Sequence, residues 1–192
     1  MKIATVLGLS LGLWVSVSAP SQAASNKWTV DADASSLRFH LTNLAVPVNG
    51  GFSKLGGTVE YDGKNLGAAH VFATVAIDSI DSGIKMRDKH LKTKDFFDVG
   101  KFPQAEFRST KIEVKPSGSF EITGNLSMHG ISQPVVLEAA ALKESTDATG
   151  HNHLTAVAAG TLERKSFKIG GLAAATISND VKLDLTINLV KD

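Results

Sequence analysis

VKLDLTINLV, residues 181–190, decides the fold. Val181, Leu183, Leu185, Ile187 and Leu189 hold every second position, and Lys182, Asp184, Thr186 and Asn188 lie between them. Side chains alternate across a β-strand with period two, so this stretch has one apolar and one wet face. FEITGNLSM (120–128) repeats the pattern with Phe120, Ile122, Leu126 and Met128. SLRFHL (36–41) offers Leu37, Phe39 and Leu41; VFATVAI (71–77) offers Val71, Val75 and Ile77; QPVVLEA (133–139) offers Val135 and Leu137. Asn49-Gly50-Gly51, Gly56-Gly57, Asp62-Gly63, Ser117-Gly118, Gly170-Gly171 and Asn179-Asp180 read as breaks between runs. The spacing predicts an all-β domain of about eight antiparallel strands, as a barrel or a sandwich.

The apolar faces also carry small residues: Ala73, Gly124, Ala139, Ala156, Ala158 and Gly160. A solid core calls for larger side chains, whereas a barrel of about eight strands can keep space for one ligand. That favours a hollow barrel. The alternative is that the small residues face bulky partners and no cavity exists.

The chain has 192 residues, a formal net charge of +1 and no cysteine. Its first residues, MKIATVLGLSLGLWVSVSAPSQAAS, join an early Lys2 to an apolar run from Ile3 to Val17 and then small residues. This is the pattern of a secretory signal peptide, with cleavage expected after Ala23 or Ala24. The division is therefore a leader at 1–23 and one domain at 24–192, long enough to close a core without disulfide staples. An exported chain without cysteine fits a bacterial periplasm better than a disulfide-dense scaffold. Charge is balanced and mostly scattered, which gives no nucleic-acid footprint.

One segment breaks the alternation: RDKHLKTKDFFDV, residues 87–99. Residues 84–92 read as a short helix with Ile84, Arg87, Asp88 and Leu91 on one face and Lys85, Lys89 and Lys92 on the other. Charges on an apolar face need partners. Arg87 and Asp88 either pair with strand residues and lock the helix over a barrel end, or Arg87 offers its guanidinium fork to a ligand headgroup. Phe96 and Phe97 cannot both point inward if the chain is extended there, so one is expected to plug the barrel and the other to border the entrance or pack under the next turn.

Catalytic signatures are weak. His151-x-His153 could pair on one side of a strand, but no third metal ligand is evident, and solvated loop histidines are the simpler expectation. His129 ends a strand, where a hydrogen-bonded structural role is the simpler one. There is no nucleophile-elbow spacing, and GGFSKLGG (50–57) lacks the ending of a phosphate loop.

WTVDADASSLRF (28–39), VNGGFSKLGGTV (48–59), IDSIDSGIKMRDKHLKTKDFFDVGKFPQAEFRST (77–110), ITGNLSMHGISQPVVL (122–137) and LERKSFKIGG (162–171) resemble the successive blocks of the YceI-like family. The resemblance runs from Trp28 to the final strand, and Arg87-Asp88, His90-Leu91, Asp95-Phe96-Phe97 and Phe102-Pro103 are its most specific part. It implies a lipocalin-like antiparallel barrel with a short helix near one end, in the periplasm. Inside would lie a polyisoprenoid, a quinone-like molecule or another long amphiphilic lipid, with no separate cofactor. Arg87, Asp88, His90, Phe96, Phe97, His129 and Arg164 fall at matching motif positions. Two positions depart from the family pattern: Asn43 stands where a His is expected, and Lys168 follows Phe167 where Gly is usual.

The resulting expectation is a non-enzymatic carrier or buffer of isoprenoid-type lipid. Its tail would lie among Phe39, Leu41, Val75, Phe107, Leu126 and Phe167. Burial gains roughly 0.8 kcal/mol per CH₂, so around ten such groups supply on the order of 8 kcal/mol before association costs. Transient membrane contact and a homodimer through an exposed seam are compatible with this. The alternatives are a filled barrel acting as a structural or interaction module, and a weak hydrolase or metal enzyme using His129 or the His151/His153 pair.

Overall fold

The computed structural model describes residues 26–192; the expected leader at 1–23 lies outside the described residues. The strands are β1 (Asn26–Val30), β2 (Ser36–Asn43), β3 (Val46–Phe52), β4 (Leu55–Tyr61), β5 (His70–Ala76) and β6 (Ile80–Asp81), then helix α1 (Lys85–Leu91). There follow β7 (Gln104–Val114), β8 (Phe120–Met128), β9 (Ile131–Ala139), β10 (Lys143–Thr146), β11 (Asn152–Glu163) and β12 (Asp180–Lys191). All pairings are antiparallel, in the order β11-β9-β8-β7-β5-β4-β1-β12, and β12 pairs back onto β11 to close a ring of eight. The predicted eight-stranded antiparallel barrel with one short helix is the fold observed.

The four remaining strands extend lines of the ring. The long β12 pairs with β1 through Leu189–Lys191 and with β2 through residues 182–186. Between β1 and β2 the Asp31 carboxylate accepts the N–H groups of Asp33 and Ala34 and so holds a tight turn. In the same way β3 pairs with β2 while β4 pairs with β1, and β9 and β10 share β11. Closing the ring removes the exposed edges that an open sheet of this length would present.

Two expected breaks prove to be strand interior. Asn49-Gly50-Gly51 lies within β3 and Gly56-Gly57 within β4. Gly50 is paired with Phe39, and a Cβ there would sit 2.3 Å from the tip of the Phe39 ring. Glycine therefore makes room for an aromatic ring from the neighbouring strand and does not end its own. Gly124 does the same for Phe107, whose ring would meet a Cβ at 2.4 Å.

The apolar faces converge into two clusters at opposite ends. Trp28, Tyr61, Phe120, Leu154 and Leu189 close the base, and the Trp28 indole N–H donates to the Tyr61 carbonyl at 3.3 Å. Phe96, Phe167, Ile169 and Ala174 form the cap, backed by Leu91, Phe97 and Ile177. Base side chains come from the strands, whereas the cap is built by α1, the turns after it and the 164–179 connection, with Leu126, Met128, Ile131 and Val135 of β8 and β9 packed against it.

Candidate functional site

Between base and cap lies a cavity of about 220 Å³. By the same measure one water needs about 10–15 Å³, so the space is far larger than a packing defect. Leu183, Leu185, Ile187 and Leu189 of β12 all line it, and from Leu183 to Leu189 a strand runs about 20 Å. The small residues Ala73, Ala139, Ala156 and Ala158 also border it, and none of the lining residues is charged. Leu183, Leu185 and Ile187 point inward yet remain only half-buried, since they face open space rather than a packed neighbour. The sequence argument from small inward residues thus holds for the alanines. Gly124 and Gly160 instead accommodate Phe107 and Leu137, as the bulky-partner alternative supposed.

Of the residues expected on the wall, Val75, Phe107 and Leu126 line the cavity. Phe39 is buried at the capped end, its ring 6.0 Å from that of Phe52, which does line the space. Leu41 is half-buried further along β2, outside the lining set. Phe167 sits in the cap cluster rather than on the wall, because strand alternation ends at Glu163 and Phe167 lies in a short 3-10 turn. Phe52, Tyr61 and Ile112 line the space without having been singled out in the sequence; Phe52 follows two glycines whose reading as a break hid it.

The cap is held by three polar devices. The first centres on Ser82, buried just before α1. The Asp88 carboxylate accepts its backbone N–H at 2.8 Å and its hydroxyl at 2.5 Å. Arg87 donates Nε to the Ser82 hydroxyl at 2.8 Å and Nη2 to its carbonyl at 2.6 Å. Both charges on the inner face of α1 are thereby used to lock the helix to the end of β6. Second, the His129 ring Nδ1 lies 2.9 Å from the Phe167 carbonyl and ties the β8–β9 turn to the cap. His90 stands edge-on to Phe96, with ring centroids 5.0 Å apart, and lies 3.6 Å from Asp95.

The third device is Arg164, buried and without a carboxylate partner among the described residues. Its guanidinium donates to four backbone carbonyls: Ser178 (2.9 Å), Ile169 (2.9 Å), Ala174 (2.7 Å) and Ile177 (2.8 Å). Burial draws its pKa below the ordinary arginine value, though a guanidinium remains charged across the accessible range. One planar fork therefore organises the whole 164–179 connection. That connection turns at Lys168, which adopts a left-handed conformation with φ of 55°. Lys168→Gly is expected to raise stability by about 1 kcal/mol, read as a higher denaturation midpoint, since glycine has no Cβ to strain there.

Phe96 and Phe97 both pack inward. The chain there is a series of turns rather than extended, with Phe96 N–H donating to Thr93 and Phe97 N–H to Leu91. Phe97 meets Phe52 edge-on at 6.3 Å and so joins the cap to the cavity wall. His151 and His153, expected as solvated loop residues, both turn onto Asp147, at 3.5 Å and 3.0 Å. Hydrogen bonds from the Thr149 hydroxyl and then the His153 ring hold the Asp147 pKa well below the usual carboxylate range. The cluster lies on an exposed hairpin away from the cavity.

A closed antiparallel barrel around an apolar lumen, shut by aromatic side chains at the base and a separately built cap at the other end, defines the class. Residues 28–189 match the YceI-like domain model, and the chain belongs to that family. A UPF0312 protein of Vibrio parahaemolyticus is 31% identical over 183 residues, covering 94% of this chain and 95% of that one. A UPF0312 protein of Yersinia enterocolitica is 31% identical over 188 residues, covering 97% of each. Among solved structures, BcnA of Burkholderia cenocepacia superposes with a TM-score of 0.72 at 22% identity, over 83% of this chain and 98% of BcnA. A polyisoprenoid binding domain from Saccharophagus degradans gives 0.64 at 15% identity, over 86% of this chain and 98% of that domain.

Proposed function

We propose that the lumen holds the tail of one long-chain amphiphile of isoprenoid type and that the protein works in the periplasm as its carrier or buffer. The observation that carries this reading is the uncharged, elongated cavity inside a closed ring. The description of the Saccharophagus domain as polyisoprenoid binding adds support from a protein of the same fold. An apolar chain entering the lumen leaves water for a wall of aliphatic and aromatic side chains, at roughly 0.8 kcal/mol per CH₂. About ten such groups leave room for micromolar binding after association costs. The wall recognises hydrocarbon and not a headgroup, so tails with different tips are expected to compete. Arg87 uses Nε and Nη2 on Ser82 and does not border the lumen, so no headgroup contact is part of this reading.

Mass spectrometry of solvent extracts of the purified protein tests the proposal. A prenyl-chain lipid at close to one per chain is expected. An empty extract, together with no uptake of long-chain prenols in vitro, contradicts it.

A further inference from the structure

The lumen is closed at both ends, so a tail needs a moving part to reach it. The wall is a hydrogen-bonded ladder all the way round the ring. The base is built from strand side chains, and parting it would break the pairing of β1 with β4 and β12. That leaves the cap, whose two halves are attached in different ways.

The 164–179 half is stitched to the barrel by hydrogen bonds. Leu44 N–H donates to the Thr176 carbonyl and Ser178 N–H to the Thr42 carbonyl. The Thr176 hydroxyl donates to the Asn43 side chain at 2.6 Å, and His129 Nδ1 lies 2.9 Å from the Phe167 carbonyl. The half that carries α1 has no such stitching. Among the described residues, every hydrogen bond and ion pair of residues 84–102 finds its partner between Ser82 and Phe102. Asp98 accepts the N–H groups of Lys101 and Phe102 on its carbonyl, and Val99 N–H returns to Lys92. Gly83 alone reaches back, donating to the Asp81 carboxylate beside the stem.

What joins this half to the barrel is apolar. Leu91, Phe96 and Phe97 lie in the cap cluster with Phe167, Ile169 and Ala174. Phe97 meets Phe52 edge-on, and the Phe102 ring stands edge-on to His129 at 4.8 Å. No residue of α1 itself is buried. An open space of about 510 Å³, lined by Val99 and Pro103 together with Lys54, Gly56, Thr74 and Asp78, leaves the second stem unpacked against the β4–β5 face. Few buried contacts and no bonds to neighbours mark the parts of a fold that open most readily. Arg87 and Asp88 both grip Ser82 across Gly83, so this clasp keeps 82–102 rigid and moves with it. The stems on which the unit turns are then Asp81, paired with Gly51, and Pro103, whose carbonyl accepts from Ile77.

We infer that residues 82–102 are a lid that swings off the lumen as one unit while 164–179 stays on the barrel. Opening lifts Phe97 from Phe52, which lines the lumen, and breaks no ladder bond. The motion is independent of what the lumen holds; its use as a doorway rests on the lipid-binding reading above.

The chain has no cysteine, so pairs of introduced cysteines carry spin labels at known places, and pulsed dipolar spectroscopy reads the distances between them. Met86 on the lid, Leu172 on the fixed half and Val157 on the barrel are all exposed. Met86→Cys/Leu172→Cys and Met86→Cys/Val157→Cys are expected to show a second distance, whose population rises about 10-fold on Phe97→Ala. Leu172→Cys/Val157→Cys is expected to keep one distance throughout, which also shows that the Phe97 variant is folded. Uptake of geranylgeraniol is expected to be about 10-fold faster in Phe97→Ala than in the wild type. Phe102→Ala, which loses the contact with His129, is expected to act in the same direction by a smaller factor. Three distances that stay single and unchanged in every variant overturn the lid. A change between Leu172 and Val157 with Met86 fixed to the barrel overturns it as well, and assigns the gate to 164–179. A second population in both Met86 pairs without any prenol uptake sustains the lid and contradicts the lipid-binding reading alone; uptake with all three distances fixed does the reverse.

Discussion

Ala73→Phe/Ala156→Phe is expected to lower affinity for a long-chain prenol by about 1,000-fold while leaving the melting temperature unchanged or higher. Both alanines border the lumen, and they stand on β5 and β11, four places apart in a ring of eight and so on opposite walls. Two phenyl rings added there occupy space that a tail would need. If half of a ten-carbon contact is lost, about 4 kcal/mol of transfer free energy goes with it, which is close to three powers of ten. The stability readout separates the hollow barrel from a filled one. In an empty lumen each new ring meets apolar walls and gains burial. In a packed core the same change forces neighbours off their rotamers and costs about 1–3 kcal/mol per site. Lost binding with a retained melting temperature therefore requires that the space be real.

Arg164→Leu is expected to destabilise the protein by about 3–5 kcal/mol, the cost of leaving several buried acceptors without a donor. Four carbonyls, of Ile169, Ala174, Ile177 and Ser178, lose their donor at once, and leucine offers none. Each buried acceptor left unpaired costs about 1–3 kcal/mol, partly recovered as the connection opens to water. At this chain length the loss is about 6–20 °C in melting temperature. Arg164→Lys is expected to rescue little, because an ammonium cannot span carbonyls arranged around a planar fork. Hydrogen exchange locates the effect: amides of 164–179 lose protection first, while those of β8 and β12 keep theirs. Uniform loss along the barrel, or full rescue by lysine, contradicts this role.

The barrel was legible because its signal is local. Alternation in 181–190 and 120–128 needs no knowledge of neighbours, and the residues it placed inside, Leu183, Leu185, Ile187, Ile122 and Leu126, do line the lumen. Helix α1 was legible only in part: Arg87 and Asp88 do turn inward, onto Ser82 in the β6–α1 connection rather than onto a strand, whereas Ile84, placed on the same face, is 53% exposed because it stands at the helix start. The misread features are those whose cause lies on another strand. Gly50 looked like a turn because the Phe39 ring that needs its space is on β2. Phe167 looked like wall because one step past Glu163 the chain leaves the sheet, and nothing in the alternation marks that point. Arg164 matched a family motif, but its partners are carbonyls, which carry no letter in a sequence.

The central claim is that hydrocarbon lies inside the ring. Diffraction from crystals of the protein loaded with a prenol brominated at its tail end tests it most directly. The expected result is anomalous bromine signal within the lumen, between β12 and β5 near Ile187 and Val71. Bromine found only on the outer surface, or side chains meeting along the barrel axis with no space for it, contradicts the account.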